Sequence, residues 1–437
     1  MCSRRFLRVG REVPAGPPPA GVGPRTPSVV AGSAPVIVVS RRWATCPGSI
    51  ECRSSAESRR LWTMTSRPGI QQLVDLMEEI APSELGESWD NVGLLVGDRT
   101  RPLRSVMLCI DLTEPVLEEA VRKRVDAIVA YHPPIFAPRK RITDEDAGGR
   151  ILLAAIAAGI AIHSPHTAAD AAEGGVNDWL AEGLGDGDRR ALVPALELPG
   201  TERVKLVTYG PAESIERIRD GLAAAGAGVI GDYERCSIEI EATGTYFGNE
   251  DSNPVRGERG RLERVDEVRL EMVCGDRNLA IAIEHLRTLH PYEEPPIEIY
   301  RQAERPRRGI GAGRRVVLDR PATIGTLTER MRTHLGTGRF ANDDADRRRR
   351  HEVVGICAGS GAELLDTAID QGCTLFITGE LKHHDVLHAR ARNCAVLLAG
   401  HTNTERGWLK RLRRRLRTGL DAEVVLSRAD ADPLRNA

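Results

Sequence analysis

The sequence predicts an α/β protein, a mainly parallel sheet flanked by helices and interrupted by an inserted α+β unit. Three observations carry this. Short apolar runs alternate with amphipathic segments between residues 70 and 163 and again between 323 and 417. Between them, residues 203–300 read strand, helix, strand, strand, helix, strand, the order of a ferredoxin-like split βαβ unit. Several strand ends also carry His, Asp or Glu, and open α/β sheets collect ligands at such ends.

At 437 residues the chain is too long for one core and implies two to three domains. A net charge of −1 makes no case for a polyanion partner. No apolar stretch reaches the ~18 residues of a membrane span; the best, 151–162, is short and Ala-rich. The nine cysteines are scattered and never form a CxxC pair. That pattern fits reduced thiols in a cytoplasmic compartment rather than a disulfide frame or a thiolate zinc site. Residues 1–63 are rich in Arg, Pro, Gly and Ser without a sustained apolar period. They are expected to stand outside the fold, as a disordered leader or a start called too early. Organellar targeting is the alternative, against which prolines 14, 17, 18 and 19 break any amphipathic helix.

The folded part begins with a helix over 70–80, apolar at Ile70, Leu73, Val74, Met77 and Ile80. Trp89-Asp90-Asn91-Val92-Gly93 is a turn feeding an apolar strand, and 105–111 is a second strand ending on Asp111. Thr113 is placed to cap a helix running to about 123, with Pro115 in its first turn. Strands over 127–131 and 160–163 follow, separated by a helix over 149–158. In the insert, strands fall near 203–208, 237–242, 267–273 and 296–300, and helices over 212–225 and 278–290. His290-Pro291-Tyr292-Glu293-Glu294-Pro295 reads as a rigid turn. Gly311-Ala312-Gly313 lacks the strand–turn–helix setting of a dinucleotide fingerprint. A helix over 323–335, strands over 352–357, 375–378 and 394–398, and a basic terminal helix complete the chain. Ala358-Gly359-Ser360-Gly361 is either a tight turn or a backbone anion cradle.

His401 and Glu405 lie where the last predicted strand gives way to a helix. If that turn is helical, i and i+4 share a face and both side chains reach one ion. His with Glu suits zinc and other divalent first-row metals. A capping histidine with Glu405 paired to Arg406 is the competing account. His132, and the pair His166 and Asp170, follow two earlier strands in the same manner, which makes coincidence the weaker explanation. Arg347 to Arg350 and the terminal Arg cluster keep nucleic acid open as a partner, although no aromatic residues are interleaved with them.

Five motifs carry a family resemblance. They are Trp89-Asp90-Asn91-Val92-Gly93; Tyr131-His132-Pro133-Pro134-Ile135-Phe136; His166-Thr167-Ala168-Ala169-Asp170; Thr378-Gly379-Glu380 with His384; and His401-Thr402-Asn403-Thr404-Glu405-Arg406-Gly407. Together, over about residues 66–437, they resemble the NIF-three-like family of dinuclear metal proteins, also called GTP cyclohydrolase I type 2-like. The middle block, through Ala224-Ala225-Gly226-Ala227-Gly228 and the His290–Pro295 turn, looks like the CutA/PII-like insert of longer members. After the 1–63 leader, the resemblance implies a core split between 64–200 and 304–437, an insert over 201–303, and a toroidal homohexamer. It also implies two divalent ions per subunit (Zn, Fe, Mn or similar), held by His132, Asp170, His401 and Glu405. His166 and His384 would line the pocket and transfer protons. Tyr131 stands where the family pattern has the first His of a pair, so one ion would be held more loosely. The implied activity is metal-dependent hydrolysis of a nucleotide or related small molecule by activated water; the alternative is a non-catalytic metal-dependent scaffold or regulatory protein.

Overall fold

The computed structural model describes residues 69–336, 340–343 and 346–434; the expectations for 1–63 fall outside them. Helix α1 (Ile70–Ile80) forms where Ile70, Leu73, Met77 and Ile80 share one buried face. The predicted alternation then builds β1 (Gly93–Val96), β2 (Ser105–Cys109), α2 (Glu114–Lys123), β3 (Ala127–Ala130), α3 (Ala147–Ala158) and β4 (Ala161–Ser164). Thr113 occupies the cap position of α2 with extended backbone, but its side chain makes no capping bond. Three elements that the sequence did not suggest follow: α4 (His166–Ala171), α5 (Val176–Glu182) and the long strand β5 (Gly187–Glu197).

The middle block forms β6 (Val204–Gly210), α6 (Ala212–Ala224), β7 (Ile238–Phe247), β8 (Leu262–Cys274), α7 (Asp276–Leu289) and β9 (Ile297–Arg301). Its antiparallel sheet runs β7-β8-β6-β9, the ferredoxin-like order. Ile215, Ile218 and Leu222 of α6 and Ala282 and Leu286 of α7 pack on Val204, Leu206, Leu270 and Met272, a core of its own.

The remaining elements are β10 (Arg305–Thr323), α8 (Ile324–Leu335), β11 (Ala341–Asn342), β12 (Arg350–Ser360), α9 (Leu365–Asp370), β13 (Leu375–Glu380), α10 (His383–Ala391), β14 (Ala395–Leu398), α11 (Asn403–Arg406), α12 (Leu409–Gly419) and β15 (Glu423–Leu426). The expected mainly parallel sheet becomes two mixed sheets. The first runs β1-β4-β3-β2-β15, parallel except for β1. The second runs β11-β14-β13-β12-β10-β5, parallel only across β12, β13 and β14. Because β15 pairs with β2, the end of the chain completes the sheet that its first strands begin.

Side-chain alternation along the strands sets the layers. Val106, Leu108, Ala127 and Val129 face a central core shared with α1, α5, α8 and α12 and with Val354, Ile356, Leu375 and Ile377 of the second sheet. Met107, Cys109, Ile128 and Ala130 face outward onto α2 and α3. Phe376 and Val396 face α9 and α10 on the far side. Buried on both faces, these strands read as continuous apolar runs. The β5–β10 ribbon does not, since β10 begins with an exposed, Arg-rich length (305–308) and then carries glycines at 309, 311 and 313. Its register breaks between Pro306 and Gly311. There Gly311 has φ +136°, and an added Cβ would lie 2.1 Å from the Val193 carbonyl oxygen, so the chain bulges at glycine. Among the described residues no helix is long and apolar enough to cross a membrane.

Candidate metal centre

The carboxyl ends of β2, β3, β13 and β14 converge with α11. His132 stays on the strand line after β3, its N–H donating to the Ile110 carbonyl at 3.0 Å. After β14 the chain turns at Gly400 and winds into α11, which puts His401 and Glu405 on one face. Glu405, 2% exposed, offers one oxygen to each imidazole. His401 Nε2 lies 3.2 Å from Oε1 and His132 Nε2 lies 3.6 Å from Oε2. These three residues supply ligand atoms that all lie within 4.8 Å of one another. Glu405 Oε2 is buried and makes no hydrogen bond, meeting His132 Nε2 only at 3.6 Å. A buried carboxylate is costly unless cations meet it. Here two imidazoles do so when protonated, and a divalent ion replacing their Nε2 protons would do the same, so the donor set fits such an ion.

Carboxylates behind the histidines set their tautomers. Asp111 Oδ1 accepts from His132 Nδ1 at 2.8 Å, and Glu380 Oε1 from His401 Nδ1 at 3.0 Å. A carboxylate only accepts, so each Nδ1 donates to the carboxylate behind it; each Nε2 faces Glu405, and without a metal it too carries a proton, which a bound cation would replace. Burial works against the charged form of His132, but Asp111 and Glu405 outweigh it and push its pKa up to about 10. The hydrogen bond to Glu405 pushes His401 up to about 9 against the cost of burial. Burial would raise Glu405, yet the two imidazoles hold it below the usual carboxylate range.

Asp170 stands beside this cluster rather than within it. Burial pushes its carboxyl up to about 7, against the hydrogen bond that Tyr131 donates to it at 2.5 Å. Tyr131, 1% exposed, therefore occupies an oxygen that the resemblance assigned to a metal. His166 stands next to His132, their rings 5.3 Å apart. Asp90 fixes it, accepting from His166 Nδ1 at 2.8 Å and from Thr167 Oγ1 at 2.5 Å. Burial alone would raise Asp90; these hydrogen bonds bring it down to about 2. His384 is exposed in the first turn of α10, its ring 5.7 Å from that of His383, while Glu380 of the same motif is the residue that reaches the cluster.

Asp111, Glu380, Asp90 and Gly359 were not assigned roles from the sequence. Asp111 carried a signal, a carboxylate ending a strand beside the one before His132. Gly359, read as part of a turn or anion cradle, lies at the end of β12 with φ +62°. A Cβ there would lie 2.7 Å from Glu405 Oε1 and 3.1 Å from His401 Nε2, so glycine leaves room for the donors.

The Duf34/NIF3 (NGG1p interacting factor 3) family model matches residues 68–433. The chain belongs to this family. A GTP cyclohydrolase 1 type 2 homolog of Bacillus subtilis is 34% identical over 341 residues, covering 76% of this chain and 87% of the relative. Human NIF3-like protein 1 is 33% identical over 387 residues, covering 84% and 92%. The crystal structure of a Bacillus cereus protein related to NIF3 superposes with a TM-score of 0.59 at 30% identity, over 85% of this chain and all of that one. Staphylococcus aureus protein SA1388, at 24% identity, shares the fold with a TM-score of 0.67 over 86% of this chain and all of that one.

Proposed function

We propose that this Duf34/NIF3 protein is a divalent-metal-dependent hydrolase in which His132, His401 and Glu405 hold the first ion. The buried Glu405 carboxylate, with one oxygen turned to each of two imidazole Nε2 atoms, carries the reading. Three protein donors are the number found in catalytic rather than closed structural sites, and His132 and His401 keep side-chain exposures of 25% and 33%. A divalent ion bound there would supply an activated water at neutral pH. Asp111 and Glu380 orient the histidines, and Glu405 bridges them. His166, backed by Asp90, is the group to pass a proton to the leaving atom. A second ion of the Zn, Fe or Mn class would take Asp170 as donor, in competition with the Tyr131 hydroxyl.

The names of the bacterial relatives make GTP, or a related nucleotide, the first substrate to try. A homohexameric, cytoplasmic protein with a CutA-like insert is the assembly that accompanies this reading. Metal-loaded protein should be incubated with GTP and the products separated by chromatography, alongside His132→Ala. Turnover lost in the variant supports the hydrolase. Turnover unchanged in both His132→Ala and Glu405→Ala overturns it, and bound metal without turnover of GTP or other nucleotides moves the assignment to the scaffold.

A further inference from the structure

We infer that Trp89 and Phe136 form a platform on which a planar heteroaromatic ring of the substrate stacks beside the His132–Glu405–His401 cluster. The inference deepens the hydrolase reading and rests on it for the position of the reacting group.

Both side chains are large, apolar and more than half exposed, Trp89 at 53% and Phe136 at 56%. They meet each other, with ring centroids 5.8 Å apart and planes at 47°. Each also meets His166, at 6.1 Å and 6.5 Å. From there the rings continue to His132 at 5.3 Å and on to His401 at 5.5 Å. The exposed pair is thus the outer end of an aromatic row whose inner end is the candidate metal centre.

Exposure does not leave the pair loose, because hydrogen bonds of their neighbours hold both turns. Asn91 Nδ2 donates to the Ile135 carbonyl at 2.6 Å, tying the Trp89 turn to the Phe136 turn. Asp90 accepts from the Asn91 N–H at 2.7 Å, from His166 Nδ1 at 2.8 Å and from the Thr167 hydroxyl and N–H. Two aromatic faces held in water by a buried scaffold are arranged before any ligand arrives, which lowers the ordering cost of binding.

Size selects the occupant. Two aromatic side chains bury at most ~150–250 Å² each, far short of the ~1,000 Å² a stable protein interface needs. One flat ring covers such a patch. Phe136 has no polar group and Trp89 only its indole N–H, so the platform works mainly by the face of the ring, which every purine has.

The probes are GMP, AMP and ribose 5-phosphate, titrated calorimetrically into metal-loaded and chelated protein, with metal content and solution mass measured on the same samples. Trp89→Ala should weaken GMP and AMP alike by roughly 5- to 150-fold, the range of a lost base stack. Ribose 5-phosphate binding and metal content should not change, and Trp89→Phe should recover most of the affinity. Equal GMP affinity in wild type and Trp89→Ala overturns the inference. So does a parallel loss of ribose 5-phosphate, or wild-type protein that holds metal but binds no GMP. A changed solution mass in Trp89→Ala with GMP binding intact also overturns it and gives the platform to a second copy of the chain. Wild-type protein without metal sinks the hydrolase reading instead, while stacking is still read from the chelated titration.

Discussion

Tyr131 and His132 are neighbours with opposite orientations. Tyr131 turns into the central core and donates to Asp170, whereas His132 turns its Nε2 toward Glu405. The motif around them was legible, and so were His401 and Glu405, because i, i+4 spacing in a helical turn leaves little freedom. What Tyr131 does to Asp170 was not legible, since a hydrogen bond between residues 39 apart depends on how β3 and α4 pack. Replacing Tyr131 with His should free Asp170 and add an imidazole. Calorimetric titration with Zn or Mn should then show a second, tighter ion than in wild type, and an unchanged isotherm would count against Asp170 as a donor. In the metal-free protein His132 and His401, at about 10 and about 9, are protonated at pH 7. A divalent ion requires the deprotonated nitrogens, so its uptake should release about two protons near neutrality. Affinity should therefore rise with pH until those values are passed. Acidification of a weakly buffered sample on metal addition measures this.

At the scale of elements, strands buried on both faces announced themselves as apolar runs, while the β5–β10 ribbon stayed hidden in Arg and Gly. Arg314 shows what those residues do. It is fully buried, with Nε on Asp178 of α5 at 2.5 Å and its other nitrogens on the carbonyls of Gly309, Gly311, Gly313 and Ala172. One guanidinium thus joins β10 to α5 and to the chain just after α4, close to Asp170. Arg314→Ala strands these partners, and removal of one side of a buried ion pair costs about 3–5 kcal/mol. Thermal or urea unfolding should show a large loss of stability, and a shift of only a few tenths of a kcal/mol would contradict the account. Helices α4 and α5 escaped the sequence because they are too short to display a helical period.

For the whole molecule, the alternating pattern announced the α/β class and the insert, but not that the last strand returns to the first sheet. Glu423–Leu426 is a four-residue run that becomes a strand only because β2 is there to receive it. The returning tail also reaches the candidate metal centre. Asp430 takes the Arg406 guanidinium at 2.5 Å and the Ile110 N–H at 2.8 Å, beside Asp111, which orients His132. Asp430→Ala leaves these donors unpaired at a cost of about 1–3 kcal/mol. It should lower both the melting temperature and metal affinity, and loss of stability with affinity unchanged would show that the tail does not support the site. The central claim, that Glu405 is the carboxylate a divalent ion requires, is tested most directly by elemental analysis of wild type and Glu405→Gln purified in parallel. The account predicts metal in the wild type and none in the folded variant; equal metal in both would contradict it.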